Sequence, residues 1–410
     1  AVFAGNALDR EVHTRLLWAF EGITSYYDEL CLVRSGCIDQ KSYLQLLAEG
    51  ITRVVRTPGR FKQSLAESSF DAWTKFYKQD ENAPNALVSY YTKGALVALA
   101  LDLTLRQRSA GARTLDDLMR ALWQRYGQEE KGVPEDGVER LAQEIAGFDL
   151  REFFDRAVRG TEDLDLAGLL AGVGVEMRLR PQRDDADNGG AVDAFEAVSA
   201  KPWLGIRLVP KQVEPAIAHV LADTPAQRAG LSAGDSLVAI AGLRVTPANW
   251  RALVEAVPPG QPVDVCAFRR DELMTFRVTP LPAPADTCEL RLAGESEAVV
   301  RRDAWVAGAT TPHPRAARTG RWPLSLRADA GRWLRYQPGC GMEGRHPGAR
   351  APGPADRRGD RAGVPAGHAA RAVGRRQDPG PIEPRCTGAH RPAGAPPEYR
   401  LHQQLAAAPG

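Results

Sequence analysis

Residues 16–30 read LLWAFEGITSYYDEL, and the fold of this stretch decides how the rest of the chain is read. Leu16, Leu17, Phe20, Ile23, Tyr27 and Leu30 recur at helical spacing, so the segment is predicted to be an amphipathic helix. Glu21 sits inside the apolar face, one turn after Leu17 and directly before Gly22. A carboxylate there is costly unless something charged meets it. The plain alternative is a glutamate at the edge of the face, solvated or paired with a cation such as Arg15.

Outward from this helix, the same period continues through Tyr43, Leu46 and Leu47, then through 86–105, 114–126 and 137–148. TPGR at 57–60 and KGVPEDG at 131–137 break it as loops. Residues 1–160 are therefore predicted to form a helical domain. Residues 161–200 make a linker or hairpin region around the polar turn DDADNGG at 184–190. From 201 to 285 the pattern becomes short β-rich runs, LGIRLV, SLVAIAG, VDVCAF and MTFRVT, separated by Gly and Pro, with two short helical pieces. That alternation describes a small, partly open β-barrel, followed by an extension at 286–308.

The 410-residue chain is 43% hydrophobic and 25% charged, the composition of a globular protein of two or three domains. Its net charge of +2 conceals an asymmetry, because residues 312–410 carry 17 Arg against 7 acidic residues and no Lys, while the remainder is acidic. Residues 309–410 hold no apolar period and are expected to be disordered. Arg, Pro, Gly and Ala dominate them, as they do when GC-rich DNA is read out of frame. The scattered arginines with few aromatics argue against a nucleic-acid arm. The longest apolar run, 95–105, is about half of a membrane span and contains Asp102, so no membrane partner is expected. The first residues match neither an initiator methionine nor a signal peptide, which suggests that residue 1 is not the natural start. Six cysteines without CxxC spacing are expected to be reduced, mostly buried thiols, which suits the cytoplasm.

The run TRLLWAFEGITSYYDELCLVRSG, together with VSYYTKGALVALALDL at 88–103, resembles the glycyl aminopeptidase family of zinc metallopeptidases, and the similarity covers residues 8–306. The resemblance implies a mixed α+β fold: the mainly helical C-terminal half of a thermolysin-like catalytic domain, then a PDZ-like barrel. It also implies removal of N-terminal glycine or small residues from peptide substrates. Glu21 would be the carboxylate ligand of the zinc, and Tyr91, in a Y-x-K-G setting, would donate to the oxyanion. Catalytic zinc takes three protein ligands and a water, and the glutamate of H-E-x-x-H would serve as base. None of the seven histidines forms that motif, so this chain alone is expected to bind no zinc and to be inactive. His13, two turns before Glu21, is too far to share one ion and reads as a partly exposed helix residue.

WLGI at 203–206 and DTPAQRAGLSAGDSLVAIAGLRV at 223–245 resemble the PDZ domains of bacterial proteases. That resemblance implies a groove for peptide or protein C-termini, with Trp203, Leu204, Gly205 and Ile206 as its binding residues. The chain's alternative reading is a non-enzymatic peptide-binding scaffold in which the helical part supports that module.

Overall fold

The computed structural model describes residues 2–3 and 10–308; the tail expected to be disordered lies outside them. A π-helical turn, Trp18–Gly22, runs directly into α1 (Ile23–Arg34). Residues 11–14 are not helical, and His13 is exposed with Nδ1 2.9 Å from the Phe70 carbonyl, so it is not the helix residue the sequence suggested.

Helix α2 (Gln40–Val55) starts where Asp39 accepts the Ser42 N–H at 2.7 Å. It buries Tyr43, Leu44, Leu47, Ala48, Ile51 and Val54, one stripe at helical spacing. Helix α3 (Thr92–Arg108) is buried on almost every side and forms the axis of the core. It begins later than its apolar period suggests, because the Ser89 hydroxyl accepts the Thr92 N–H and leaves 87–91 outside the helix. Helix α4 (Leu115–Leu122), opened by a Thr114–Asp117 capping box, packs against it, and α5 (Gly137–Ala146) packs against α4.

Strand β1 (Val175–Pro181) does not fold back on β2 (Gly190–Ala191) as a hairpin. The loop between them is tied down by charge: Arg180, almost fully buried, bonds Asp187 and Glu289, and Arg178 and Arg183 also reach Glu289. Then comes a second, separate core. Strands β3 (Ile206–Leu208) and β4 (Ile217–Val220) pair with each other. A four-stranded antiparallel sheet follows, made of β5 (Ser236–Ile240), β6 (Leu243–Arg244), β7 (Val263–Arg269) and β8 (Glu272–Val278) in the order β8-β7-β5-β6. Alternate residues Val263, Val265 and Ala267 of β7 point inward against Leu237, Ile240 and Phe276, with α6 (Trp250–Glu255) packed beside them.

The chain enters and leaves this second module side by side, Trp203 paired with Leu281 and Pro202 with Pro282. It then returns to the first core. Strand β9 (Ala285–Leu292) inserts between β1 and β2, and α7 (Ser296–Ala307) places Trp305, fully buried, edge-on against Tyr43. Residues 286–308, expected as an extension, thus share the core of residues 16–175, and the second module is an insertion between strands of one sheet. The architecture is a mixed α+β fold.

Candidate functional site

Two helices meet where the sequence placed its chemistry. Gly22, next to Glu21, lies against Gly94, three residues after Tyr91: a Cβ on Gly22 would stand 2.6 Å from the Gly94 Cα. Only glycine on both sides lets the backbones approach so closely. The turn that carries Glu21 and the N-terminus that carries Tyr91 are thereby pressed together.

Glu21 is half-buried on the π-helical turn. Such one-turn irregularities re-aim side chains and cluster at functional positions. The half-buried Tyr91 stands at the N-cap of α3, and its hydroxyl is held well above the usual phenol range. Burial is the largest cause, followed by the contact with the Tyr77 hydroxyl and the negative charge of Glu21. With its pKa held up in this way, the phenol stays protonated as a hydrogen-bond donor.

Three tyrosine hydroxyls gather here. That of the fully buried Tyr90 is 2.9 Å from Tyr77, and that of Tyr91 is 3.5 Å from Tyr77. The ring centroids of Tyr90 and Tyr91 are 4.6 Å apart, with Phe76 4.8 Å from Tyr90. Sequence reasoning missed Tyr77 because it sits on a short 3-10 turn, Phe76–Lys78, with no motif around it. Lys93, the K of Y-x-K-G, is buried and points to the Arg60 carbonyl at 3.5 Å. Burial holds its ammonium below the usual lysine range.

Tyr26 and Tyr27 belong to the packing behind the site. The Tyr26 hydroxyl donates to Asp102 at 2.8 Å and accepts from the Trp305 indole at 2.8 Å; Tyr27 donates to Asp116 at 2.5 Å. Asp102, buried inside the apolar helix α3, also accepts from Arg106 and from the Leu115 N–H. That network is the reason the apolar run tolerates a carboxylate.

Among the described residues, no three His, Cys, Asp or Glu side chains converge to hold a metal ion. Catalytic zinc takes three protein ligands, a set that Glu21 does not make up by itself. Of the four described cysteines, all free thiols, only Cys288 is buried, whereas Cys31 and Cys37 are exposed, so the expectation of mostly buried thiols fails for them. Among the described residues no helix is long and apolar enough to cross a membrane.

In the second module, Trp203 is half-buried and Leu204, Gly205 and Ile206 are buried. Gly205 has φ +82°, and a Cβ there would lie 2.3 Å from Thr224. The Leu204 carbonyl accepts from Ala226 N–H at 2.9 Å and the Gly205 carbonyl from Leu221 N–H at 2.8 Å. Because peptide units are planar and trans, the N–H groups of Gly205 and Ile206 face the opposite way. Strand β3 pairs on one side with β4; the described strands supply no partner for its other edge.

Residues 2–97 match the M61 glycyl aminopeptidase family. The crystal structure of an aminopeptidase N family protein from Idiomarina loihiensis is 36% identical, with a TM-score of 0.67, covering 74% of this chain and 51% of that one. This chain thus spans about half the length of that relative. Two partial matches are a serine endoprotease from Yersinia pestis (21% identity, TM-score 0.19, 21% of this chain and 30% of that one) and the HtrA3 PDZ domain bound to a phage-derived ligand (22%, 0.17, 20% and 85%). No curated protein matches the chain. The E-G and Y-x-K-G motifs, packed against each other, both lie inside the segment that matches the M61 glycyl aminopeptidase family.

Proposed function

We propose that this chain carries one side of the active site of a zinc-dependent aminopeptidase with a thermolysin-like catalytic fold, acting on peptides with N-terminal glycine or another small residue. The observation that supports the reading is the Gly22–Gly94 contact, which presses the turn bearing Glu21 against the helix start bearing Tyr91. In this reading Glu21 is the carboxylate ligand, with the imidazole ligands supplied from outside the described residues. Bound zinc supplies a Lewis acid and an activated water. Tyr91, kept protonated by burial and by Glu21, donates a hydrogen bond to the oxyanion that develops on the scissile carbonyl. The 410-residue chain by itself is expected to be zinc-poor and inactive, since it lacks H-E-x-x-H. The test is hydrolysis of glycine 4-nitroanilide with and without zinc, by this chain and by longer forms. Glu21→Gln should abolish zinc-dependent turnover in any active form; zinc-dependent turnover that survives it, or that the 410-residue chain shows alone, contradicts the reading.

The second module supports a PDZ-type reading, in which a peptide adds as a strand along the open edge of β3, beside α6. Its terminal carboxylate would meet the outward N–H groups of Gly205 and Ile206, with Trp203 and Leu204 forming the rest of that end. A peptide with a free C-terminus should bind, and its C-terminal amide should bind at least tenfold more weakly; equal affinities contradict it. Unpaired thiols at all four described cysteines suit a cytoplasmic location.

A further inference from the structure

Tyr77 has no role in the site described so far, yet its hydroxyl is the meeting point of two others. Tyr90 is fully buried, and a buried hydroxyl proton needs an acceptor. The Tyr77 oxygen lies 2.9 Å away and provides one. Either hydroxyl could donate across this contact; with Tyr77 as the acceptor its own proton is free to turn outward, and Tyr77 is 45% exposed. The ring is held by Phe76, edge-on at 5.6 Å, and by Trp73 at 6.0 Å.

The separation of Tyr77 and Tyr91 then acquires meaning. Their oxygens are 3.5 Å apart. A good O–H···O bond is about 2.7–2.8 Å, so the direct contact between them is weak. A third oxygen placed at roughly that bonding distance from both would complete a triangle with an O···O···O angle of about 80°.

We propose that Tyr77 is a second hydrogen-bond donor to the oxygen that Tyr91 serves, so that the two hydroxyls cradle the oxyanion forming on a peptide carbonyl. The inference rests on the reading of Tyr91 as an oxyanion donor. It adds a residue that the Y-x-K-G motif does not contain, and in it Tyr90 orients Tyr77 from beneath.

The test uses the smallest form of the protein that hydrolyses glycine 4-nitroanilide. Tyr77→Phe and Tyr91→Phe should each lower kcat by about 10–100-fold with KM within about threefold, and the double variant should lose close to the product of the two. A Tyr77→Phe kcat within twofold of the parent overturns the proposal. So does the absence of any further loss when Tyr77→Phe is added to Tyr91→Phe, which would mean that Tyr77 acts only through Tyr91. If Tyr91→Phe itself leaves kcat unchanged, the oxyanion-donor reading falls and this inference with it. Tyr77→Phe also removes the acceptor of the buried Tyr90 hydroxyl, so Tyr77→Phe/Tyr90→Phe is measured beside it. That pair should regain thermal stability without regaining kcat, and recovery of kcat would show that the loss was structural. On the 410-residue chain, a Tyr77/Tyr90 double-mutant cycle in urea should be non-additive; additivity overturns the outward orientation of the Tyr77 proton.

Discussion

Gly22 and Gly94 stand backbone to backbone: a Cβ on the first would meet the Gly94 Cα and carbonyl carbon at 2.6 Å, and one on the second would meet the Trp18 carbonyl oxygen at 2.9 Å. This contact fixes the turn that carries Glu21 against the helix start that carries Tyr91.

Alanine at either glycine should therefore destabilise the protein. Helix propensity alone favours Ala over Gly by about 1 kcal/mol, and both positions are helical. We expect Gly22→Ala and Gly94→Ala to cost about 1–3 kcal/mol in urea unfolding, as overpacking does. A neutral or stabilising result at both would mean that the helices can separate freely.

Trp305 should be the anchor of the returning chain. Its ring is fully buried, lies edge-on to Tyr43, and its indole N–H donates to the Tyr26 hydroxyl. Trp305→Ala is expected to cost about 3–5 kcal/mol. Thermal melts followed by circular dichroism check it, and a shift of only a degree or two would place α7 outside the cooperative core.

Glu29 should make the stability depend on pH. Its carboxyl is pushed up to about 7, chiefly by burial, with Glu49 and Asp28 adding to the rise and Arg53 opposing it. The folded state therefore holds this proton more tightly than the unfolded chain does, so the contribution is present below the usual glutamate pKa and is lost as pH rises through about 7. Glu29→Gln should raise the melting temperature at pH 8 and change it little at pH 5. Equal shifts at the two pH values would refute the coupling.

Cys288 should be inert and Cys31 and Cys37 reactive. The first is fully buried between β1 and the α2 face, its thiol pushed up to about 12 mainly by burial, while the other two are exposed. Iodoacetamide labelling read by peptide mass spectrometry should mark Cys31 and Cys37 in the native protein and Cys288 only in urea. Native labelling of Cys288 at a comparable rate would contradict the packing.

Much of the fold was legible locally. The helical period of residues 16–30 is borne out, but its buried side chains are Leu16, Trp18, Ala19, Ile23, Tyr26 and Leu30, with Leu17, Phe20 and Tyr27 only half-buried, because the π-helical turn shifts the face; the alternation in VDVCAF marks a strand with one side inward. Glu21 stood out because a carboxylate interrupts that face, and Tyr91 because a motif surrounds it. Tyr77 was not legible, since nothing within a few residues of it signals that its hydroxyl meets Tyr90 and Tyr91. Nor was the path of β9: its residues pair with β1 more than 100 positions earlier, and the 184–190 loop looks like a hairpin turn until the Arg180–Asp187–Glu289 cluster is seen to hold it elsewhere.

The sequence by itself determined which faces are apolar, where helices and strands alternate, and which residues can carry acid or hydroxyl chemistry, because side-chain periodicity and local backbone preference act over a few residues. Only the tertiary structure decided that two glycines more than 70 positions apart press the turn of Glu21 against the helix start of Tyr91, and that the second module is an insertion closed by a returning strand and Trp305. Periodicity states that a face must be covered; close packing between distant segments selects what covers it.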